Sequence, residues 1–266
     1  MTAIDDLLAR LWDDYAALNP RVRAIRQLLE QQGETVVNDH IALRSFDDPR
    51  VGIDRLAAAF TAHGYEPRDA YTFTEKKLTA RHYQHPRGDL PKVFISQLDL
   101  AQCSAGLRRM ITRLIDHMPA DLPGRPDFPV AGRPWPIDFQ TYEVLAGESE
   151  YAAWVAAFGF RANHFTVFVN ALKKYGTLEA INDLIKQSGY ELNASGGEIK
   201  GSPDLLLEQS STLADQVAVE FDDGPHVVPA CYYEFARRYP QPDGRLFQGF
   251  VAKSADKIFE STHRQT

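Results

Sequence analysis

Two stretches of the chain repeat one pattern. Asn38-Asp39-His40-Ile41-Ala42-Leu43-Arg44-Ser45-Phe46 and Ala162-Asn163-His164-Phe165-Thr166-Val167-Phe168-Val169-Asn170 each open a β-branched, aromatic-rich run with a single histidine. Each run leads into an amphipathic helical stretch and then into Gly-Tyr-Glu, at Gly64-Tyr65-Glu66 and Gly189-Tyr190-Glu191. From His to Gly is 24 residues in the first copy and 25 in the second. Matched spacing of this kind marks a duplicated supersecondary unit. A histidine at the same place in both copies lets pseudo-symmetry bring two imidazoles to one point. Imidazole is the commonest protein metal ligand, so the repeat predicts a metal site between its two halves.

Period and punctuation give the frame around the repeat. Ile4, Leu7, Leu8, Leu11 and Tyr15 share one helical face, and Val22, Ile25, Leu28 and Leu29 form a second stripe that Gly33 stops, so residues 1–36 read as helices. The first unit, residues 37–118, reads as a strand at 37–46 and a helix opened by Asp48 and Pro49 and ended by Gly64. Strands follow at 71–75, 78–84 and 92–98, then a helix capped by Ser104. Six of the 16 prolines crowd residues 119–136, so 119–160 reads as an extended connector followed by the apolar helix 151–158. The second unit, residues 161–238, has a strand at 161–170 and a helix near 177–188. Its further strands lie near 197–200, 205–209, 216–221 and 227–238, the last two joined by an Asp222-Asp223-Gly224 turn. The tail, 239–266, reads as a short strand and a helix between 250 and 260. The expectation is a single α+β catalytic domain of two pseudo-symmetric β-α-β-β-β units with peripheral helices.

Composition excludes several classes. With 29 basic against 36 acidic residues and no basic tract, nucleic acid is not the expected partner. The sequence has no run of about 18 apolar residues, so no membrane-spanning helix is expected. The N-terminal residues carry no basic and apolar signal pattern, and Cys103 and Cys231 make no disulfide framework. A cytoplasmic protein is expected.

Strand parity narrows the site. Residues two apart share a face, so His40, Ala42, Arg44 and Phe46 point one way, with the guanidinium about 7 Å along the strand from the imidazole. Glu234 stands alone as a carboxylate in the apolar run from Val227 to Phe235, and a buried carboxylate needs a partner. Two imidazoles and one carboxylate form a facial triad, the ligand set of non-haem Fe(II) oxygen chemistry. The plainer readings are hydrogen-bonded core histidines, a Glu234 paired with Arg237 or Arg238, and a solvated Arg44.

Asp39-His40-Ile41-Ala42-Leu43-Arg44-Ser45-Phe46, Asn163-His164-Phe165-Thr166 and Tyr232-Tyr233-Glu234-Phe235 resemble the 2-oxoadipate dioxygenase/decarboxylase family, which has a vicinal-oxygen-chelate-like fold. Gly201-Ser202-Pro203-Asp204, Gln209-Ser210-Ser211-Thr212 and the segment from Gly249 to Phe259 are similar to further family segments. The members associated with lysine breakdown are longer than this chain. The resemblance implies an incomplete barrel with Fe(II) held by His40, His164 and Glu234. It also implies Arg44 on the distal carboxylate of a 2-oxo acid, with Gln209, Ser211, Tyr233 and Val251 as further pocket residues. It implies that a 2-oxo acid, most directly 2-oxoadipate, reacts with O2, loses CO2 and becomes the one-carbon-shorter 2-hydroxy acid, 2-hydroxyglutarate. Two rivals stand beside this. A glyoxalase-type isomerase or lyase on the same fold would want a fourth ligand, for which Gln97 is available. A non-catalytic small-acid binding protein would need Arg44 but no metal.

Overall fold

The protein is described here from a computed structural model covering residues 2–252 and 260–262. Two helices open the chain, α1 (Ala3–Leu18) and α2 (Pro20–Gln31). Thr2 and Asp5 form a reciprocal capping box on α1, and Pro20 sits in the first turn of α2, where its missing N–H costs nothing. The first repeat follows as β1 (Asn38–Phe46), α3 (Ile53–Thr61), β2 (Glu66–Phe73), β3 (Leu78–Gln84) and β4 (Lys92–Leu98). Asp48 and Pro49 do not open α3 as expected. Asp48 instead caps a tight turn, accepting from the amides of Val51 and Gly52, and the helix starts one turn later behind Gly52.

Helix α4 (Ala105–Asp116) is capped by Ser104, as its sequence predicts. The proline-dense segment holds two short 3-10 turns rather than one extended run. After it come α5 (Phe139–Glu148), which periodicity missed, and α6 (Glu150–Phe158). Helix α6 is buried all round, so it carries no amphipathic stripe.

The second repeat consists of β5 (Ala162–Phe168), α7 (Leu178–Gln187), β6 (Lys200–Ser202), β7 (Leu207–Ser211), β8 (Gln216–Phe221), β9 (Gly224–Pro229) and β10 (Tyr232–Arg238). The expected strand 227–238 is two strands in two different sheets. Pro229 has no amide to donate, and Ala230 and Cys231 bond to Asp215 instead, which turns the chain out of the β8–β9 hairpin and into the main sheet. The predicted strand and helix at 250–260 fall largely outside the described residues; the described residues 260–262 form a single 3-10 turn.

Among the described residues, eight strands form one sheet in the order β2-β3-β4-β1-β5-β10-β7-β6, and β8–β9 stand apart as a hairpin. Within each repeat the first and last strands pair in parallel, β1 with β4 and β5 with β10. The repeats join through the antiparallel pair β1–β5. That is a pseudo-twofold arrangement of two β-α-β-β-β units, a vicinal-oxygen-chelate-like incomplete barrel. Its outer face is covered by helices. Trp12 and Tyr15 of α1 pack on Phe165 at 5.2 and 5.1 Å between ring centres, and the Tyr15 hydroxyl donates to the carbonyl of Tyr232.

Gly159 ends α6 with a φ of +68°, and a Cβ there would lie on the carbonyl oxygen of Gly132. Gly189 has a φ of +84° but open space around it. Gly189→Ala should therefore cost about 1–2 kcal/mol, the left-handed backbone penalty alone, and Gly159→Ala clearly more, about 3 kcal/mol or above. Urea midpoints at unchanged slope measure both; equal losses would show that the Gly132 approach is not limiting.

Candidate metal centre

His40, His164 and Glu234 come from three adjacent strands, and each offers a ligand atom within 4.8 Å of the others. Register explains the meeting. His40 lies opposite Thr166 across β1–β5, and Thr166 lies opposite Glu234 across β5–β10, so one face of the sheet carries all three. The side chains are 3%, 5% and 1% exposed.

Each imidazole is oriented by the residue before it. Asp39 Oδ1 lies 2.8 Å from His40 Nδ1, and Asn163 Oδ1 lies 3.0 Å from His164 Nδ1. An oxygen acceptor at Nδ1 holds the ring proton there and turns the Nε2 lone pair inward. His40 Nε2 then stands 3.4 Å from Glu234 Oε1, and His164 Nε2 stands 3.2 Å from Glu234 Oε2. Gln209 donates to Oε1 at 2.6 Å, while Oε2 is buried without a hydrogen bond. Two lone pairs and a carboxylate converging on one point, with one oxygen left unsatisfied, fit a divalent cation. Burial pushes the His164 pKa well down and so keeps the ring in its ligand form. Burial raises Glu234, with His40 and Gln209 opposing, so the carboxylate gains from any nearby positive charge.

Asp39 is pushed upward by its own burial, but Arg238 and Lys92 outweigh this and hold its carboxyl well below the usual range. Arg238 grips it through Nε–Oδ2 at 2.6 Å and Nη2–Oδ1 at 2.8 Å. The alternative pairing of Glu234 with Arg238 is thus excluded: Arg238 serves Asp39.

Arg44 is buried on the same strand as His40, with its guanidinium carbon 5.1 Å from the ring centres of both Tyr151 and Trp154. A cavity of about 270 Å³ reaches it from outside, between Lys76, Lys77, Glu148 and Tyr151; the triad does not line this cavity. Gln209 is at the site, but as the donor to Glu234. Ser211 pairs across from Glu234, and its hydroxyl lies 2.8 Å from that of Ser261. Tyr233 is not in the pocket. Its parity turns it outward onto Trp12 and Phe235. Val251 is half-buried directly after Phe250.

Gln97 is not a fourth ligand. Its Oε1 accepts from the amide of Ile53 at the start of α3, and its Nε2 donates to Asp47. The place equivalent to Glu234 in the first repeat belongs to Phe94, which pairs with Ala42 as Glu234 pairs with Thr166. Sequence reasoning also passed over His82 and Phe250. Phe250 lies edge-on to His40 with ring centres 4.8 Å apart and against Phe94 at 4.9 Å and His82 at 5.3 Å. The parity of His82 on β3 was a usable signal, whereas Phe250 belongs to a segment without periodicity.

Comparison with known proteins agrees with this arrangement. Residues 4–119 and 132–248 match the family described as 2-oxoadipate dioxygenase/decarboxylase. The chain belongs to that family. It is 34% identical over 289 residues to the chloroplastic 2-oxoadipate dioxygenase/decarboxylase of Arabidopsis thaliana, covering 97% of this chain and 77% of the relative. The crystal structure of the hydroxyglutarate synthase of Oryza sativa, in complex with 2-oxoadipate, superposes with a TM-score of 0.90. That protein is 32% identical, over 97% of this chain and 91% of its own. A Shewanella frigidimarina protein described as a hydrolase also gives a TM-score of 0.90, at 48% identity over 95% of this chain and 99% of that one. Among the described residues no helix is long and apolar enough to cross a membrane.

Burial lowers the His82 pKa from 6.5 to about 4, with the carboxylate of Asp69 opposing. Between those values the unfolded chain binds a proton at this position that the folded chain refuses, so stability falls as pH drops from 6.5 toward 4. His82→Asn should reduce that slope in urea titrations of the metal-free protein; an unaltered slope would mean that His82 does not titrate in this window.

Proposed function

We propose that the protein is a non-haem Fe(II)-dependent dioxygenase/decarboxylase that converts 2-oxoadipate and O2 to 2-hydroxyglutarate and CO2. The observation that carries the reading is the buried His40–His164–Glu234 triad with Arg44 on the same strand face, in a member of this family. The atoms balance: the substrate carboxylate leaves as CO2, one oxygen atom of O2 completes the new carboxylate at the former keto carbon, and the other becomes the hydroxyl.

His40, His164 and Glu234 would hold the metal, which when bound activates O2 and polarises a chelating 2-oxo acid. The protein's own groups do the rest. Asp39 and Asn163 keep both Nδ1 protons in place, so that the Nε2 atoms face inward. Gln209 fixes the rotamer of Glu234 by donating to one of its oxygens. Arg44, rigid between two aromatic rings, is suited to the distal carboxylate of a dicarboxylic acid through a forked, charge-assisted pair. Phe94 and Phe250 present hydrocarbon beside His40 and keep water from it. Phe94 in the symmetry place of Glu234 speaks against the isomerase reading, which would want a ligand there. The plant relatives are named as chloroplastic; for this chain a cytoplasmic location remains our reading of its sequence.

The test is oxygen uptake by the Fe(II)-loaded protein over a panel of 2-oxo acids. We expect one CO2 released per O2 consumed with 2-oxoadipate, no need for added 2-oxoglutarate, and label from O2 in both the carboxylate and the hydroxyl. Conversion without oxygen uptake would overturn the proposal in favour of an isomerase. Arg44→Ala should cut kcat/KM at least about 100-fold, as loss of a buried charged partner costs several kcal/mol, while iron content stays at the wild-type level. Arg44→Lys should recover only part of it, since a point charge does not copy the fork. Unchanged kinetics in Arg44→Ala would remove the arginine from the substrate.

A further inference from the structure

The two histidines of the triad are oriented by chemically different neighbours. At His164 a neutral amide, Asn163, suffices. At His40 the chain buries an ion pair instead, Asp39 with Arg238, each side chain 1% exposed. Taking two charges out of water costs more than burying an amide, so orientation of an imidazole alone does not account for the pair. The rest of the guanidinium does. Arg238 Nη1 donates to the carbonyls of Phe247 at 3.0 Å and Gly249 at 2.8 Å. The next residue, Phe250, lies edge-on against His40, and its amide donates to the Tyr71 hydroxyl at 3.1 Å. One rigid fork thus holds the carboxylate that orients His40 and the backbone that seats Phe250 over it.

We infer that Arg238 is a positioning residue that couples the orientation of His40 to the seating of residues 247–250, so that assembly and closure of the site are one event. Nε and Nη2 face Asp39 while Nη1 faces the two carbonyls, so the fork is fully engaged only when both sides are in place. A lysine, with a single nitrogen, can serve one side but not both. In the first repeat the place of Arg238 belongs to Leu98, four residues beyond Phe94, so the coupling exists in one half only. The inference deepens the metal reading of the triad and rests on it for one of two readouts.

The experiment measures Co2+ binding by calorimetry, and hydrogen exchange of a peptide spanning 247–250, in the wild type, Arg238→Lys and Asp39→Asn. In the wild type, Co2+ should slow exchange at 247–250. Arg238→Lys should weaken Co2+ binding about 10–100-fold, the usual effect of removing a partner behind a metal ligand. It should also speed exchange at 247–250 in the metal-free protein and abolish the slowing by Co2+. Asp39→Asn keeps an oxygen on His40 Nδ1, as Asn163 does for His164, but removes the charge that anchors Arg238. It should lose the Co2+-dependent slowing while retaining most of the affinity, and it carries the comparison if Arg238→Lys does not fold. In Arg238→Lys, weaker Co2+ binding with wild-type exchange at 247–250, or the reverse, would overturn the coupling, as would a Co2+-dependent slowing retained in Asp39→Asn. If the wild type binds no Co2+, the metal reading fails. The coupling is then decided by metal-free exchange alone: wild-type protection of 247–250 in Asp39→Asn refutes it, and faster exchange supports it.

Discussion

Burying Glu234 is the constraint on which the rest of the sheet depends. A carboxylate away from water is tolerated only with compensating partners, and the partners of Glu234 arrive from three different strands: His164 on β5, His40 on β1 and Gln209 on β7. Three strand registers must therefore be right at once. A one-residue slip of β10 would turn Glu234 toward α1 and bring Tyr233 to the inner face. The aromatic contacts of Tyr233 with Trp12 and Tyr15 of α1 on the outer face oppose that slip. Packing on one side of the strand thus secures the chemistry on the other.

Behind the first ring of contacts stands a second that is charged on one side only. Asp39 and Arg238 are a fully buried pair, and breaking such a pair costs about 3–5 kcal/mol because a lone charge is left behind. The pair joins β1 to β10 across β5, and through the carbonyls of Phe247 and Gly249 it reaches the segment that follows the last strand. Helix α6 performs the corresponding closure at the Arg44 end. The Tyr151 hydroxyl meets the Ser45 amide at 3.1 Å and Ser96 Oγ at 2.9 Å, while the Tyr151 and Trp154 rings flank the guanidinium.

The parts of this arrangement that are legible in the sequence are those written as periods. The duplicated His motif, the Gly-Tyr-Glu that closes each helix and the isolated Glu234 are local signals. Gly64 and Gly189 do take the positive φ that only glycine adopts cheaply. Two-residue parity was enough to put His40 and Arg44 on one face. What the sequence hides is set by partners distant along the chain. Nothing near Gln97 says that it serves the start of α3, and nothing near Arg238 says that its partner is Asp39, 199 residues away. Helix α5 has too weak an amphipathic stripe to announce itself, and the break between β9 and β10 lies in an apolar run where only Pro229 hints at a turn.

The symmetry of the fold matters most where it fails. Exact duplication would put a carboxylate on β4 to match Glu234 and close the ligand set at four. Phe94 takes that place, and with Phe250 and Tyr71 it forms an aromatic wall on the first-repeat side of His40. The second repeat keeps the polar groups, Glu234, Gln209 and Ser211. A twofold scaffold has thereby produced an unequal site, with the carboxylate and its hydrogen-bonding neighbours on the second-repeat flank and an aromatic wall on the first. Such a site could hold a cation with three residues, His40, His164 and Glu234, beside an aromatic wall. Hydrocarbon on that side keeps water from His40 and supplies no fourth ligand.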